Sequence, residues 1–324
     1  MSGRLEKEIT LDTNIKKQLE NMPEILTDYY YHLISSGKSY DTAKTYIDRI
    51  CRFVDFTFGN SCSENFYENV KSTHINKYIS SLRTKNAGEK KKRISDSYKT
   101  VMWSSLNSFF DFLVPEYINE NPVVNTSRPK MKDEPDVTFL TKEEVISVLN
   151  NVKNKANNRM VNRDLCILKI GFATGLRVSA IAQIDIDDID LKNNRIKVTE
   201  KGDRDYYVLI GENLKDQILL WMNDRKKYFN VENVDALFVS QESSRISTRT
   251  INDLIKKYSD VVDKRVTPHV MRHTCATHLY EATGDIYLTS KQLHHKNVST
   301  TQRYAELSNE RQKQAANILD NSII

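Results

Sequence analysis

At 324 residues and 37.6 kDa the chain is too long for one ordinary core and fits two domains of usual size. With 39% hydrophobic and 28% charged residues, and no apolar run near the ~20 residues of a bilayer span, it reads as a soluble globular protein with no membrane partner. The net charge of +5 is too mild to name a partner, so the placement of charge matters more than its sum.

The N-terminus, MSGRLEKEITLD, has no apolar stretch behind its charges, so no secretory signal is expected and the location is expected to be cytoplasmic. Residues 1–19 are read as an N-terminal extension. Helices then follow. In PEILTDYYYHLISSG, Leu26, Tyr29, Tyr30 and Leu33 share a face and Gly37 ends the pattern. A second helix runs from near Ser39 to Phe58 with Ala43, Tyr46, Ile47, Ile50, Phe53 and Val54 inward. A third covers about Thr73 to Leu82, and a fourth runs from about Ser97 to Leu113 with Val101, Leu106, Phe109, Phe110 and Leu113 apolar. The aromatics keep helical spacing, which predicts the core of a small bundle over 20–121.

Between Arg83 and Lys99 lie seven basic residues (Arg83, Lys85, Lys90, Lys91, Lys92, Arg93, Lys99) and two acidic ones. This run is either a solvated loop and helix start or a patch that follows a phosphate backbone. Residues 122–137, NPVVNTSRPKMKDEPD and its neighbour, hold three prolines and no periodicity, and are read as a linker.

A second domain, 138–310, opens with the capping box Thr141 to Glu144 before Val145, Val148 and Leu149. A buried helix over about Asp164 to Ala173 ends at Gly175. The runs RIKVTE and YYVLI flank KGDRD, which predicts a β-hairpin with Lys201 at its tip. The remainder reads as mostly helical, with one more apolar run at ALFVS. The fold class is therefore mainly α with a small β-hairpin or sheet (α+β), followed by a tail over 311–324.

Four cysteines, Cys51, Cys62, Cys166 and Cys275, form no C-x-x-C pair and are read as reduced and structural. Five of the seven histidines fall late: His269, His273, His278, His294 and His295. His269 and His273 stand at i, i+4, as zinc ligands on a helix do, but Val270 occupies the place of the glutamate in H-E-x-x-H. The acidic run Asp185 to Asp190 suggests a two-metal nuclease, or more simply a polar surface over an isoleucine ridge. No metal and no cofactor is expected.

In TPHVMRHT, Thr267 suits an N-cap and Pro268 the first helical position, so His269 lies in a first turn that favours an anion. Arg272, three residues on, shares its face, and the pair suits one phosphate. G-L-R places Arg177 after a glycine turn among Ile170, Phe172 and Ile181, where a semi-buried arginine needs an anionic partner. A second capping box, Ser299 to Gln302, sets Tyr304 in the second turn of a helix. A phenol with a pKa near ~10 attacks at neutral pH only where cations surround it and its target.

Taken in chain order, Arg177 of GLR, Lys201 of the hairpin, His269 and Arg272 of H-x-x-R, His295, and Tyr304 nine residues on closely resemble the active-site signature of the tyrosine recombinase (phage integrase) family. SYDTAKTYIDRICRFVDF and SSLNSFFDFLVPEYINENPV resemble that family's helical core-binding (SAM-like) domain and its exit to the linker. The resemblance spans about residues 20–310 and is nearest to Xer-type enzymes, with no separate arm-binding domain.

The resemblance implies that Tyr304 attacks a DNA phosphodiester to give a 3′-phosphotyrosyl bond, that Arg177 and Arg272 hold the non-bridging oxygens, and that Lys201 protonates the departing 5′ oxygen. His269 would orient or accept a proton, and His295 would bond the phosphate. It further implies double-stranded DNA with paired recombination sites as partner, and a homotetramer on DNA that passes through a Holliday junction, with the tail residues Ile318, Leu319, Ile323 and Ile324 docking on another protomer. Lys85, Lys90, Lys91, Lys92, Arg93 and Lys99 would touch DNA backbone. Two positions depart from the family pattern. Ala180 stands where an acidic residue is common, and His294 stands where glycine usually precedes the late histidine. A strand-passing topoisomerase and a DNA-binding protein without chemistry are the competing expectations.

Overall fold

Side chains that accept first-turn N–H groups set where the helices begin. Ser39, Ser95, Ser247 and Thr267 accept from the N–H of Thr42, Tyr98, Thr250 and Val270, and Thr141 with Glu144 closes the expected capping box. The computed structural model describes residues 2–59, 62–87, 90–114, 116–130, 137–200, 204–294 and 301. The chain divides into two units, Met1–Glu134 and Pro135–Ile324.

The first unit contains α1 (Ser2–Leu19), α2 (Glu24–Ser35), α3 (Tyr40–Phe58), α4 (Ser72–Ser81), the antiparallel pair β1 (Thr84–Ala87) and β2 (Lys90–Arg93), and α5 (Asp96–Leu113). Leu26, Tyr29, Leu33, Ile47, Phe53, Phe109 and Phe110 are buried together, with Tyr29 edge-on to Phe109 at 5.1 Å between ring centroids. The predicted inward faces of α2, α3 and α5 hold except at Val101, which is exposed.

Three expectations are corrected in this unit. Residues 1–19 are not an extension outside the bundle, because α1 buries Ile15 and Leu19 in the same core and its Asp12 accepts from the Tyr30 hydroxyl. Two apolar residues one turn apart were too few to read as a stripe. The linker is narrower than 122–137. Val123 is fully buried in the helical core, the Trp103 indole donates to Thr126 at 2.8 Å, and Thr100 donates to the Pro129 carbonyl at 3.0 Å. The basic segment is a hairpin, with Thr84 opposite Arg93 and Ala87 opposite Lys90, and not the loop that one of its two expected readings implies. A strand of lysines has no apolar alternation, so the period-two signal is missing.

The second unit contains α6 (Lys142–Lys155), α7 (Val161–Thr174), α8 (Val178–Gln183), β3 (Ile189–Asp190), β4 (Arg195–Glu200), β5 (Arg204–Leu209), α9 (Glu212–Tyr228), α10 (Thr248–Tyr258), α11 (Pro268–Thr283) and α12 (Ile286–Gln292). The sheet is an antiparallel meander in the order β3-β4-β5, with β4 and β5 in register from Arg195↔Leu209 to Glu200↔Arg204. Helix α7 is the spine of the unit: Leu165, Cys166, Ile167, Leu168 and Ile170 are buried, and α6, α9 and α11 pack around it. Its approach to α11 is close, since a Cβ on Gly171 would lie 2.3 Å from the Met271 methyl.

One buried ionic group sits in this core. The Arg163 guanidinium donates to Asp164 at 2.8 Å and to the Val239 carbonyl at 2.9 Å, and the Tyr258 hydroxyl donates to the other Asp164 oxygen at 2.6 Å. In the ALFVS run Ala236 to Val239 are buried, and the run is tied by single bridges between Asp185 and Ala236 and between Val239 and Arg245. Among the described residues no helix is long and apolar enough to cross a membrane.

Candidate active site

Helix α7 stops because Gly175 turns left-handed at φ +64° and returns its N–H to the Gly171 carbonyl. The chain re-enters a helix at once, with Arg177 in extended conformation as the N-cap of α8. Leu176 takes the inward position and is buried, so Arg177 is turned outward and is exposed. The expected semi-buried setting among Ile170, Phe172 and Ile181 is thereby corrected. Ile170 and Ile181 fill the core themselves, leaving the arginine facing outward.

Helix α11 begins as the sequence predicted, with Thr267 accepting from the Val270 N–H and Pro268 in the first turn. His269 is exposed at this opening turn, whereas Arg272 is buried. The Arg272 guanidinium is gripped from two sides. Its Nη1 donates to the Gly175 carbonyl at 2.7 Å, and its Nη2 donates to the Leu293 carbonyl at 2.5 Å. One side chain thus joins the GLR turn, the start of α11 and the end of α12. A buried guanidinium requires such acceptors, and charge-assisted bonds of this length are the strong kind.

Packing reinforces the junction. A Cβ on Gly175 would stand 2.5 Å from the Leu293 side chain, so the turn needs glycine both for its left-handed backbone and for this approach. Leu293 is buried with Cys275 and Ala276. Burial pushes the Cys275 thiol up to about 12 despite the opposing charge of Arg272, which removes it as a competing nucleophile.

Immediately after Leu293, His294 takes a left-handed φ of 50°. Its imidazole lies against the ring of Tyr206 on β5, with centroids 3.5 Å apart and planes tilted by 34°. A residue with a Cβ therefore occupies the conformation that glycine takes at lower cost.

Other candidates resolve differently. The rings of His269 and His273 are 6.4 Å apart at their centroids. Among the described residues no group of three or more His, Cys, Asp or Glu is placed to hold a metal ion. The acidic run is engaged with the protein itself: Asp185 pairs with Arg245, Asp188 accepts the Asp185 N–H at 2.9 Å, and Asp190 binds Arg195 and Asn193. These last contacts, the Asn193 bonds first, hold the Asp190 carboxyl down at about 2.

Lys201, His295, Tyr304 and the 311–324 tail lie outside the described residues, as does the Ser299 to Gln302 box apart from Thr301, which is helical and fully buried. Strands β4 and β5 end on either side of Lys201, at Glu200 and Arg204. Of the proposed backbone contacts, Lys85 and Lys90 to Arg93 are described in their strands only, and Lys99 pairs with Asp96 at 3.1 Å. Sequence reasoning missed the acceptor roles of Gly175 and Leu293 and the partnership of Tyr206 with His294. The one available signal was a histidine where the family pattern favours glycine.

With this geometry in place, comparison gives the class of protein. Residues 138–311 match the model of the phage integrase family, and the chain belongs to that family, the tyrosine recombinases, which carry out site-specific DNA recombination. It is 27% identical to tyrosine recombinase XerS of Streptococcus gordonii over 359 aligned residues, covering 97% of this chain and all of that one. It is 28% identical to XerS of Streptococcus agalactiae over 355 residues, covering 96% and 99%.

The same fold is found in the XerH site-specific recombinase bound to palindromic difH substrate, with a TM-score of 0.67, 19% identity, and coverage of 87% of this chain and 81% of that one. A lambda integrase dimer bound to a COC′ core site gives a TM-score of 0.65 at 15% identity, covering 87% and 94%.

Proposed function

We propose that this recombinase cleaves and rejoins double-stranded DNA through Tyr304. The phenolic oxygen attacks the scissile phosphorus as the bond to the 5′ oxygen breaks, leaving a 3′-phosphotyrosyl bond and a 5′-hydroxyl. Arg177 and Arg272 donate to the non-bridging oxygens as charge builds on the five-coordinate phosphorus. His269 takes the phenolic proton or orients the attack, Lys201 gives a proton to the departing 5′ oxygen, and His295 bonds the phosphate. The phosphotyrosyl bond conserves the energy of the phosphodiester, so a 5′-hydroxyl from another strand reverses the step without ATP.

The observation that carries this reading is the Arg272 junction, which draws the GLR turn, the H-x-x-R helix and the segment leading to His295 onto one guanidinium. The solved XerH and lambda integrase relatives are bound to their DNA sites, which supports duplex DNA as the partner here. Four protomers on two sites would exchange one strand pair, pass through a Holliday junction and exchange the second, in integration and excision or in resolution. The tail over 311–324 would dock on a neighbouring protomer, the basic residues Lys85, Lys90, Lys91, Lys92, Arg93 and Lys99 would track DNA backbone, and the reaction would run in the cytoplasm.

The test is a nicked duplex from the protein's own genomic neighbourhood, incubated in EDTA and resolved under denaturing conditions. Wild type is expected to give a covalent protein–DNA band and Tyr304→Phe none. A band of equal strength from both would remove Tyr304 from the chemistry.

A further inference from the structure

Resting on that reading, we infer that Tyr206 is a positioning residue of the active site, acting through His294. The two ring centroids are 3.5 Å apart, far closer than the aromatic pairs of the helical core, where Tyr29 and Phe109 stand at 5.1 Å. Tyr206 lies on β5, opposite Val198 of β4, and β5 begins at Arg204, three positions after Lys201. His294 lies between Leu293, whose carbonyl takes the Arg272 bond, and His295. The stack therefore links the hairpin of the proposed general acid to the segment of the proposed phosphate-binding histidine.

The backbone gives a reason for the link. At φ 50° His294 holds a left-handed conformation that side-chain-bearing residues adopt uncommonly and at some cost. Arg272 and Gly175 fix the preceding residue from one side. Tyr206 meets the histidine ring from the other and gives the segment its second hold. Glycine at this place would leave the segment looser. The histidine converts a permissive position into one registered against the sheet, which holds the segment that follows Leu293 in a fixed relation to strand β5.

The experiment compares Tyr206→Ala, Tyr206→Phe, His294→Gly and the double variant Tyr206→Ala/His294→Gly, using the full chain and the nicked duplex. Binding is read by gel shift and the single-turnover rate by covalent capture. Tyr206→Ala is expected to slow covalent capture about three- to tenfold, the worth of one aromatic pair, with affinity for the duplex unchanged. Tyr206→Phe keeps the ring and is expected to restore the rate. In the His294→Gly background the alanine substitution is expected to have no further effect, because its partner ring is gone. Tyr206→Leu, which keeps bulk without an aromatic face, serves if the alanine variant folds poorly.

An effect on affinity alone, a phenylalanine variant as slow as alanine, or an undiminished effect in the glycine background would each overturn the inference. Wild-type capture with an unimpaired alanine variant defeats this inference only, whereas absence of wild-type capture on a duplex the protein binds defeats the recombinase chemistry beneath it.

Discussion

The Arg272 Nη1 lies 2.7 Å from the carbonyl oxygen of Gly175, a residue 97 positions earlier, and that bond fixes the GLR turn to the helix of the second arginine. With the Leu293 bond it makes the guanidinium a structural hub as well as a proposed phosphate ligand. Lysine keeps the charge but not the planar fork that reaches two carbonyls at once. Arg272→Lys is therefore expected to lower stability by about 2–3 kcal/mol, the value of one charge-assisted hydrogen bond, and to abolish covalent capture. Urea unfolding beside the nicked-duplex assay checks both. Native stability in a variant that has lost capture would confine Arg272 to the chemistry.

Gly175→Ala tests the same junction through the backbone. The added Cβ meets a left-handed φ of +64° and a Leu293 methyl at 2.5 Å. The first costs about 1–2 kcal/mol and the second about 1–3 kcal/mol. A loss of about 2–5 kcal/mol is expected on unfolding, together with slower cleavage, because the Leu293 carbonyl and the following histidine must move. A variant as stable as wild type would show that the junction opens freely.

What could be read in advance divides along physical lines. Helices α2 to α5, α6 and α7 showed in the sequence because each places an apolar stripe on the core of its own unit, and α3, α5 and α6 begin at a serine or threonine cap. The β4–β5 hairpin showed through alternation and a glycine turn. The strands of the basic hairpin did not, since a lysine-rich sequence carries no apolar alternation, and α1 did not, since its buried apolar residues among those described are Ile15 and Leu19. In the site, motif order named Arg177, His269 and Arg272. It gave no account of the carbonyls of Gly175 and Leu293 or of the ring of Tyr206, because backbone acceptors and contacts across the fold leave no periodic trace in sequence.

The cysteines offer an independent check of the packing. Burial raises the thiols of Cys51, Cys166 and Cys275, with Cys51 at about 11, and Cys62 is raised too but remains partly accessible. Alkylation depends on thiolate and access together. The native protein is expected to label at Cys62 alone, slowly at neutral pH and faster as pH rises, while denaturant exposes all four. Rapid native labelling of Cys275 would mean that α11 and the GLR turn separate readily.

Alkaline stability follows from the buried phenols. The Tyr258 hydroxyl donates to Asp164 at 2.6 Å, and burial first, then that carboxylate, hold its pKa well above the usual 10. Burial does the same for Tyr29 and Tyr78. The folded protein thus keeps these protons to higher pH than the unfolded chain does. The stability they confer is complete below about 10 and falls as pH rises beyond it. Tyrosinate absorbance from these residues is expected to emerge with loss of helical circular dichroism rather than ahead of it. Tyr258→Phe removes a donor from buried Asp164, so it should cost about 1–3 kcal/mol at neutral pH and make the alkaline decline less steep. Full ionisation of all 16 tyrosines near pH 10 with the helical signal intact would contradict the burial of these three.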